Sequence, residues 1–205
     1  MSRRVTIEEL AATPRWPLER TLALPGQIRG NALRAWGTHV AEHWGPQAPD
    51  RVRELLGLPA STLPDVPTKR DWMPIWVQLR LAQVIVDEWC GGDMLGFETL
   101  FAETSGTGDK VMRWAAAQLG PTAVLRRAGS YHASVCTVGA LDATADARSA
   151  RLDFRGADVF GDPTWRLLNT MSIRTMFTFM KKRLLSIHGV DSGQRDYMIE
   201  LTWAP

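Results

Sequence analysis

The residues most able to do chemistry lie in four places. His39-Val40-Ala41-Glu42-His43 has the H-x-x-E-H spacing of inverted zinc peptidases, where two imidazoles four residues apart on a helix hold zinc and the carboxylate acts as base. Both histidines flank an apolar stripe, and a third ligand, Glu88 or Glu98, would have to converge on them; the segment reads as a helix flank that binds no metal. Ser105 to Lys110, SGTGDK, hints at a phosphate loop, but it lacks the G-x-x-x-x-G-K-[ST] spacing and follows no predicted strand, so it reads as a linker with Asp109 capping the next helix. Cys90 and Cys136 stand far apart without a framework pattern, which points to a reducing compartment, with a single disulfide as the alternative. The fourth group is apolar: Met171, Met176 and Met180 on one predicted helix, and Met198 on the last predicted strand. With the tryptophans they make adaptable walls suited to a lipid, an aromatic compound or a partner helix, although helix spacing alone favours plain core.

The elements that position these groups follow from apolar spacing. Residues 1–28 read as an N-terminal arm of mostly extended chain, in which Thr6 and Glu9 cap a short helix through Leu10. Arg29 to Gly45 is the clearest helix: Leu33, Trp36, Gly37, Val40 and Trp44 share a face, and Gly45-Pro46 supplies the stop. Gln47 to Leu56 reads as a second, short helix. Trp72 to Cys90 is apolar nearly all round, with Arg80, Gln83 and Asp87 in a narrow stripe, and this predicts a central helix that carries Pro74 in its first turn. Met94 to Glu103 and Lys110 to Leu119 follow as helices; Gly120-Pro121 breaks the second, and helix resumes from Thr122 to about Tyr131. The period then falls to two. Thr137 to Thr144 and Ala150 to Arg155 predict two strands joined through Ala145-Asp146-Ala147. Asp162-Pro163 opens a helix from Thr164 to Phe179, with Trp165, Leu168, Ser172, Met176 and Phe179 along one side. Leu184 to His188 and Tyr197 to Trp203 close the chain as a hairpin. The predicted fold is α+β, an N-terminal helical layer packed on a small C-terminal antiparallel sheet with one crossover helix, in one domain over residues 29–205.

With 205 residues, 45% of them apolar and 22% charged, the chain can bury a full core without staples. No apolar run approaches the roughly 18 residues of a membrane span. The start, MSRRVTIEEL, lacks the apolar core of a secretory signal. A net charge of +2 is too small to imply a nucleic-acid partner, and the small basic clusters Arg126-Arg127 and Lys181-Lys182-Arg183 read as solvated faces. The expectation is a cytoplasmic globular protein.

The order of elements, with GNALRAWGTHVAEHWG near the start and HGVDSGQRDYMIELTW at the end, resembles a group of bacterial ligand-binding domains. The group includes the 4-vinyl-reductase-type sensor domain, the haem nitric-oxide-binding domains and the TRAPP vesicle-tethering subunits. Within it the chain resembles a paralogous family of unknown function abundant in myxobacteria, which shares an early R-G-x-A-L helix with a glycine near its end. The resemblance implies a helical layer over a sheet that encloses an apolar cavity, often in a dimer. Two departures matter. The haem-binding branch uses a Tyr-x-Ser-x-Arg motif for the propionates, which the nearest text here, Ser130-Tyr131-His132-Ala133-Ser134, does not match. The TRAPP branch can carry an acyl chain on a cysteine, and neither Cys90 nor Cys136 sits in an alignable motif.

The functional expectation is a non-enzymatic sensory or regulatory domain that binds a small apolar or lipid-like ligand, needs no cofactor and forms a homodimer through helix faces. The alternative is a protein-interaction module with a filled core. A pocket is expected between the Trp72–Cys90 and Thr164–Phe179 helices. Trp76 and Met176 would be its main walls, joined by Trp36, Trp165 and Phe179, with Tyr131 or His132 as a polar handle at the mouth.

Overall fold

The computed structural model describes residues 3–30, 40–57, 71–98 and 110–205, with backbone alone for residues 110–117. Strict alternation in the C-terminal half builds its main sheet. Ala140–Ala145 (β4) and Ser149–Arg155 (β5) form a hairpin, and Leu184–Asp191 (β6) and Tyr197–Trp203 (β7) form another, longer by three residues than its predicted first strand. Arg3–Val5 (β1) completes a five-stranded antiparallel sheet in the order β1-β6-β7-β5-β4. Tyr197, Ile199, Leu201 and Trp203 of β7 all lie buried on one face, as their spacing predicts.

Residues 3–28 do not stand apart as an extended arm. β1 pairs with β6, and Ile7–Ala11 (α1), held by the Thr6–Glu9 capping box, packs on the crossover helix. Leu18–Leu22 (α2) packs on the central helix. Gln27–Arg29 (β2) pairs with Trp72–Pro74 (β3), a small two-stranded ribbon to which Ile28 adds an isolated bridge with Cys136. Two predicted helix starts are thereby corrected. Arg29 and Trp72 spend their backbone groups on this ribbon, and tertiary pairing overrides local helical period. Trp36 and His39 lie outside the described residues; residues 40–44 are helical and Gly45, at φ 94°, stops them.

Ala48–Leu55 (α3) is the second predicted helix, with Pro49 in its first turn. The central helix runs Ile75–Trp89 (α4), and Pro74 is its N-cap, extended at ψ 135°, not a first-turn residue. Lys110–Leu125 (α5) bends at Gly120, φ 72° and ψ 170°, where Pro121 follows, and Ala128–Val135 (α6) is a separate helix. A 3-10 turn, Asp158–Gly161, leads into the crossover helix Pro163–Phe179 (α7), whose N-cap Asp162 accepts a hydrogen bond from the Trp165 N–H at 3.0 Å. The face of α7 that is buried is wider than the predicted stripe. It takes in Leu167, Thr170, Met171, Ile173 and Phe177, and Ser172 points out. α6 packs on β4, α7 on β6, and α4 on α7, so the core is one layer of helices over the inner sheet face.

Gln83, of the narrow polar stripe on α4, is 2% exposed: its amide donates to Thr164 Oγ1 at 2.9 Å and its carbonyl accepts from Arg80 at 2.8 Å. The pairing satisfies a buried amide and ties the middle of α4 to the start of α7.

Candidate functional site

Two groups of apolar side chains lie between the helices and the sheet. One centres on Trp165 in the first turn of α7, 5% exposed. Its ring meets Phe154 of β5 edge-on at 4.7 Å, Phe160 of the 3-10 turn at 4.7 Å and Tyr197 of β7 edge-on at 6.2 Å. His132 of α6 extends the cluster to Phe154 at 6.0 Å and Phe160 at 5.9 Å. Two glycines show how little room is left. A Cβ on Gly139 would fall 2.3 Å from the Phe160 ring, and one on Gly189 would fall 2.2 Å from the Tyr197 hydroxyl.

The polar atoms in this cluster are already engaged, Asp162 Oδ2 excepted. Tyr197 shares a 2.8 Å hydrogen bond with Thr170, and burial pushes its phenol up to about 12. His132 directs Nε2 at the Val138 carbonyl, 3.2 Å away, and burial lowers its pKa, so the neutral ring is an N–H donor to that carbonyl. Cys136 donates its thiol to the same carbonyl at 3.5 Å, and burial raises its pKa as well. Asp162 is fully buried; desolvation raises its pKa against the hydrogen bond from the Trp165 N–H.

The other large apolar residues are less deeply packed against the core. Trp76 on α4 and Met176 on α7 are half-buried against it, as is the pair Trp44 and Trp89, stacked at 4.6 Å with their planes 9° apart. Phe179, at the end of α7, is half-buried too. The predicted site residues are therefore divided: Trp165 and His132 belong to the packed cluster, Trp76 on α4 and Met176 and Phe179 on α7 are partly buried, and Tyr131, 55% exposed on α6, lies at the surface. Phe160 and Asp162 were the residues that spacing left out of the site. Phe160 sits in a 3-10 turn that no period announces, while Asp162 was legible only as a helix opener. Cys90 and Cys136 are free thiols. His43 and Glu42, the described part of the H-x-x-E-H segment, are exposed, and among the described residues no group of three His, Cys, Asp or Glu side chains converges on a point.

No family model matches the chain, and no curated protein is similar enough to match it. Solved structures do. An H-NOX protein from K. algicida, solved as the unliganded Fe(II) form, superposes with a TM-score of 0.62 at 10% identity, covering 87% of this chain and 97% of that one. An oxygen-binding H-NOX domain related to soluble guanylate cyclases gives 0.60 at 10% identity, over 87% and 96%. A structure concerned with porphyrin distortion and haem redox potential gives 0.61 at 12% identity, over 85% and 99%. At these identities the shared property is the fold.

The described residues do not fit a haem. Of their three histidines, His132 packs against Phe154 and Phe160 with Nε2 committed to a carbonyl, His43 is exposed on its helix, and His188 lies on the outer sheet face. Cys136 is buried and shares the carbonyl that His132 uses.

Proposed function

We propose that this chain is a non-enzymatic sensory or regulatory domain that takes up a small apolar or lipid-like ligand beside the partly covered residues of α4 and α7. The observation that supports the reading most is the shared fold: over nearly the whole of both chains it follows H-NOX domains, one of which is named for binding oxygen. Trp76, Met176 and Phe179 are the proposed walls, because they are large apolar groups left half-covered where Trp165 is enclosed. The donor set argues for a ligand other than haem. Trp36 falls outside the described residues, and His132 already has its partner, so neither adds support.

Native mass spectrometry of the freshly purified chain is the test. A small-molecule adduct is expected, and Met176→Trp should abolish it while leaving the melting temperature near that of the parent, since added volume fills the site. A bare mass, or a Met176→Trp variant destabilised by roughly 1–3 kcal/mol as overpacked core is, overturns the reading.

Association of two chains through helix faces belongs to the same proposal; light scattering that returns a monomer at high concentration removes it. A second reading, a protein-interaction module, draws support from the filled cluster around Trp165 and from Leu18 and Leu22, 50% and 42% exposed one turn apart on α2.

A further inference from the structure

The outer face of the five-stranded sheet, turned away from the helices, holds a cleft of about 370 Å³ to which all five strands contribute. Register sets its floor. Thr202 of β7 stands between Ser186 of β6 and Ser149 of β5, and one row along Glu200 stands between His188 and Arg151, with Thr144 of β4 beyond. These positions point away from the core because Leu201 and Ile199 between them are buried on the inner face.

The groups in the cleft are partly spent and partly open. Arg4 reaches across β6 from the sheet edge and gives Glu200 Oε2 two hydrogen bonds, from Nε at 3.2 Å and Nη2 at 2.9 Å. Arg151 donates from Nε to Asp153 at 2.9 Å and also feels the Glu200 charge. Glu200 is thus held between two guanidinium groups with Oε1 unused. Ser186 and Thr202 share one hydrogen bond at 2.7 Å, which leaves acceptor capacity on both. The His188 ring, the Thr144 and Ser149 hydroxyls and the Asp146 carboxylate have no protein partner among the described residues.

The geometry points to a binding site for a small, neutral, polyhydroxylated molecule of the saccharide or cyclitol class in this outer cleft. Two arginines stand against two carboxylates, Glu200 and Asp146, so the lining favours neither an anion nor a cation. Ala150 and Leu201 complete the lining, but both side chains are buried toward the core, so the outward-facing groups are polar ones. A hydroxyl donates and accepts at once. Adjacent hydroxyls on a ring can give a proton to Glu200 Oε1 while taking one from a guanidinium, and the serine and threonine hydroxyls turn to suit. The volume falls in the range of roughly 300–1,000 Å³ occupied by small-molecule sites. This site shares strands with the interior but not its chemistry, and it stands whether or not α4 and α7 hold an apolar ligand.

The test is an amide NMR titration of the full chain with three probes, D-glucose, trehalose and myo-inositol, run beside inorganic phosphate and glycine as charged and zwitterionic controls. At least one polyol is expected to give saturable shifts concentrated at residues 144–151, 186–188 and 200–202. Glu200→Gln keeps shape but loses the charged acceptor, and should weaken binding about tenfold, as loss of one charge-assisted hydrogen bond does. Thr144→Val, at the rim, should weaken it less, with the remaining spectrum unchanged to show that the fold persists. Three polyols without cleft-localised shifts, equal shifts in Glu200→Gln, or saturable binding of phosphate or glycine in their place each overturns the assignment.

Discussion

Trp165 and Trp76 are the same residue in two settings. Trp165 sits where α7 begins, touched by Phe154, Phe160 and Tyr197 from three elements, while no aromatic ring stacks on Trp76 among the described residues and its side chain is only half covered. The sheet supplies the difference. Its alternating side chains present a dense wall wherever a helix starts against it, and two glycines let backbone and rings approach closer than a Cβ would permit. The enclosed cluster leaves no space for an apolar ligand, so the proposed one is to be sought beside the partly covered residues of α4 and α7.

If that contrast holds, Trp165→Ala should be the most damaging single change, costing about 3–5 kcal/mol in denaturant unfolding, with Trp76→Ala well below it. Equal losses would erase the distinction between filled and half-filled regions. Next in size is Gly189→Ala. Gly189 pairs with Ile199 and faces the Tyr197 hydroxyl, which Thr170 holds in place, so the new methyl must displace a buried, hydrogen-bonded ring. A loss of roughly 1–3 kcal/mol is expected. An unchanged melting curve would show that the cluster is looser than its contacts imply.

The strands were the most legible part of the chain. Alternation through Tyr197 to Trp203 and Ala150 to Phe154 named the buried face residue by residue, because a half-buried strand admits one register. The crossover helix was legible from its Asp-Pro start, although its apolar stripe was drawn too narrow: Leu167, Met171, Ile173 and Phe177 are buried outside it, and so are Thr170 and Thr175, which a spacing rule counts as polar. What the spacing hid was long-range pairing. β1 reaches β6 across almost the whole chain, and the β2–β3 ribbon joins residues more than forty apart, so neither leaves a local signal. The candidate site was legible only in part for the same reason: Trp165 and His132 were named, but the rings that occupy the space beside them come from a turn and two strands.

The smallest effect concerns Asp162, and it probes how dry the packed region is. The carboxyl is fully buried at the start of α7; Oδ1 caps the Trp165 N–H, and Oδ2 has no hydrogen-bond partner. Desolvation disfavours its charged form and raises the pKa above the ordinary 3.8. The sign follows from linkage. A carboxyl whose folded pKa is raised contributes stability in full below its unfolded value, and that contribution is lost as pH rises through the folded value. Asp162→Asn retains the cap and removes the charge, so its melting temperature should gain on the parent as pH climbs from the acid side of 3.8 towards neutrality. Asp162→Ala should instead lose about 1 kcal/mol for want of a cap, since the Trp165 N–H is then left without its acceptor. Parallel pH profiles for the parent and Asp162→Asn would mean that water reaches Oδ2, and the contrast between the enclosed cluster and the partly covered residues would fail at the helix that carries both.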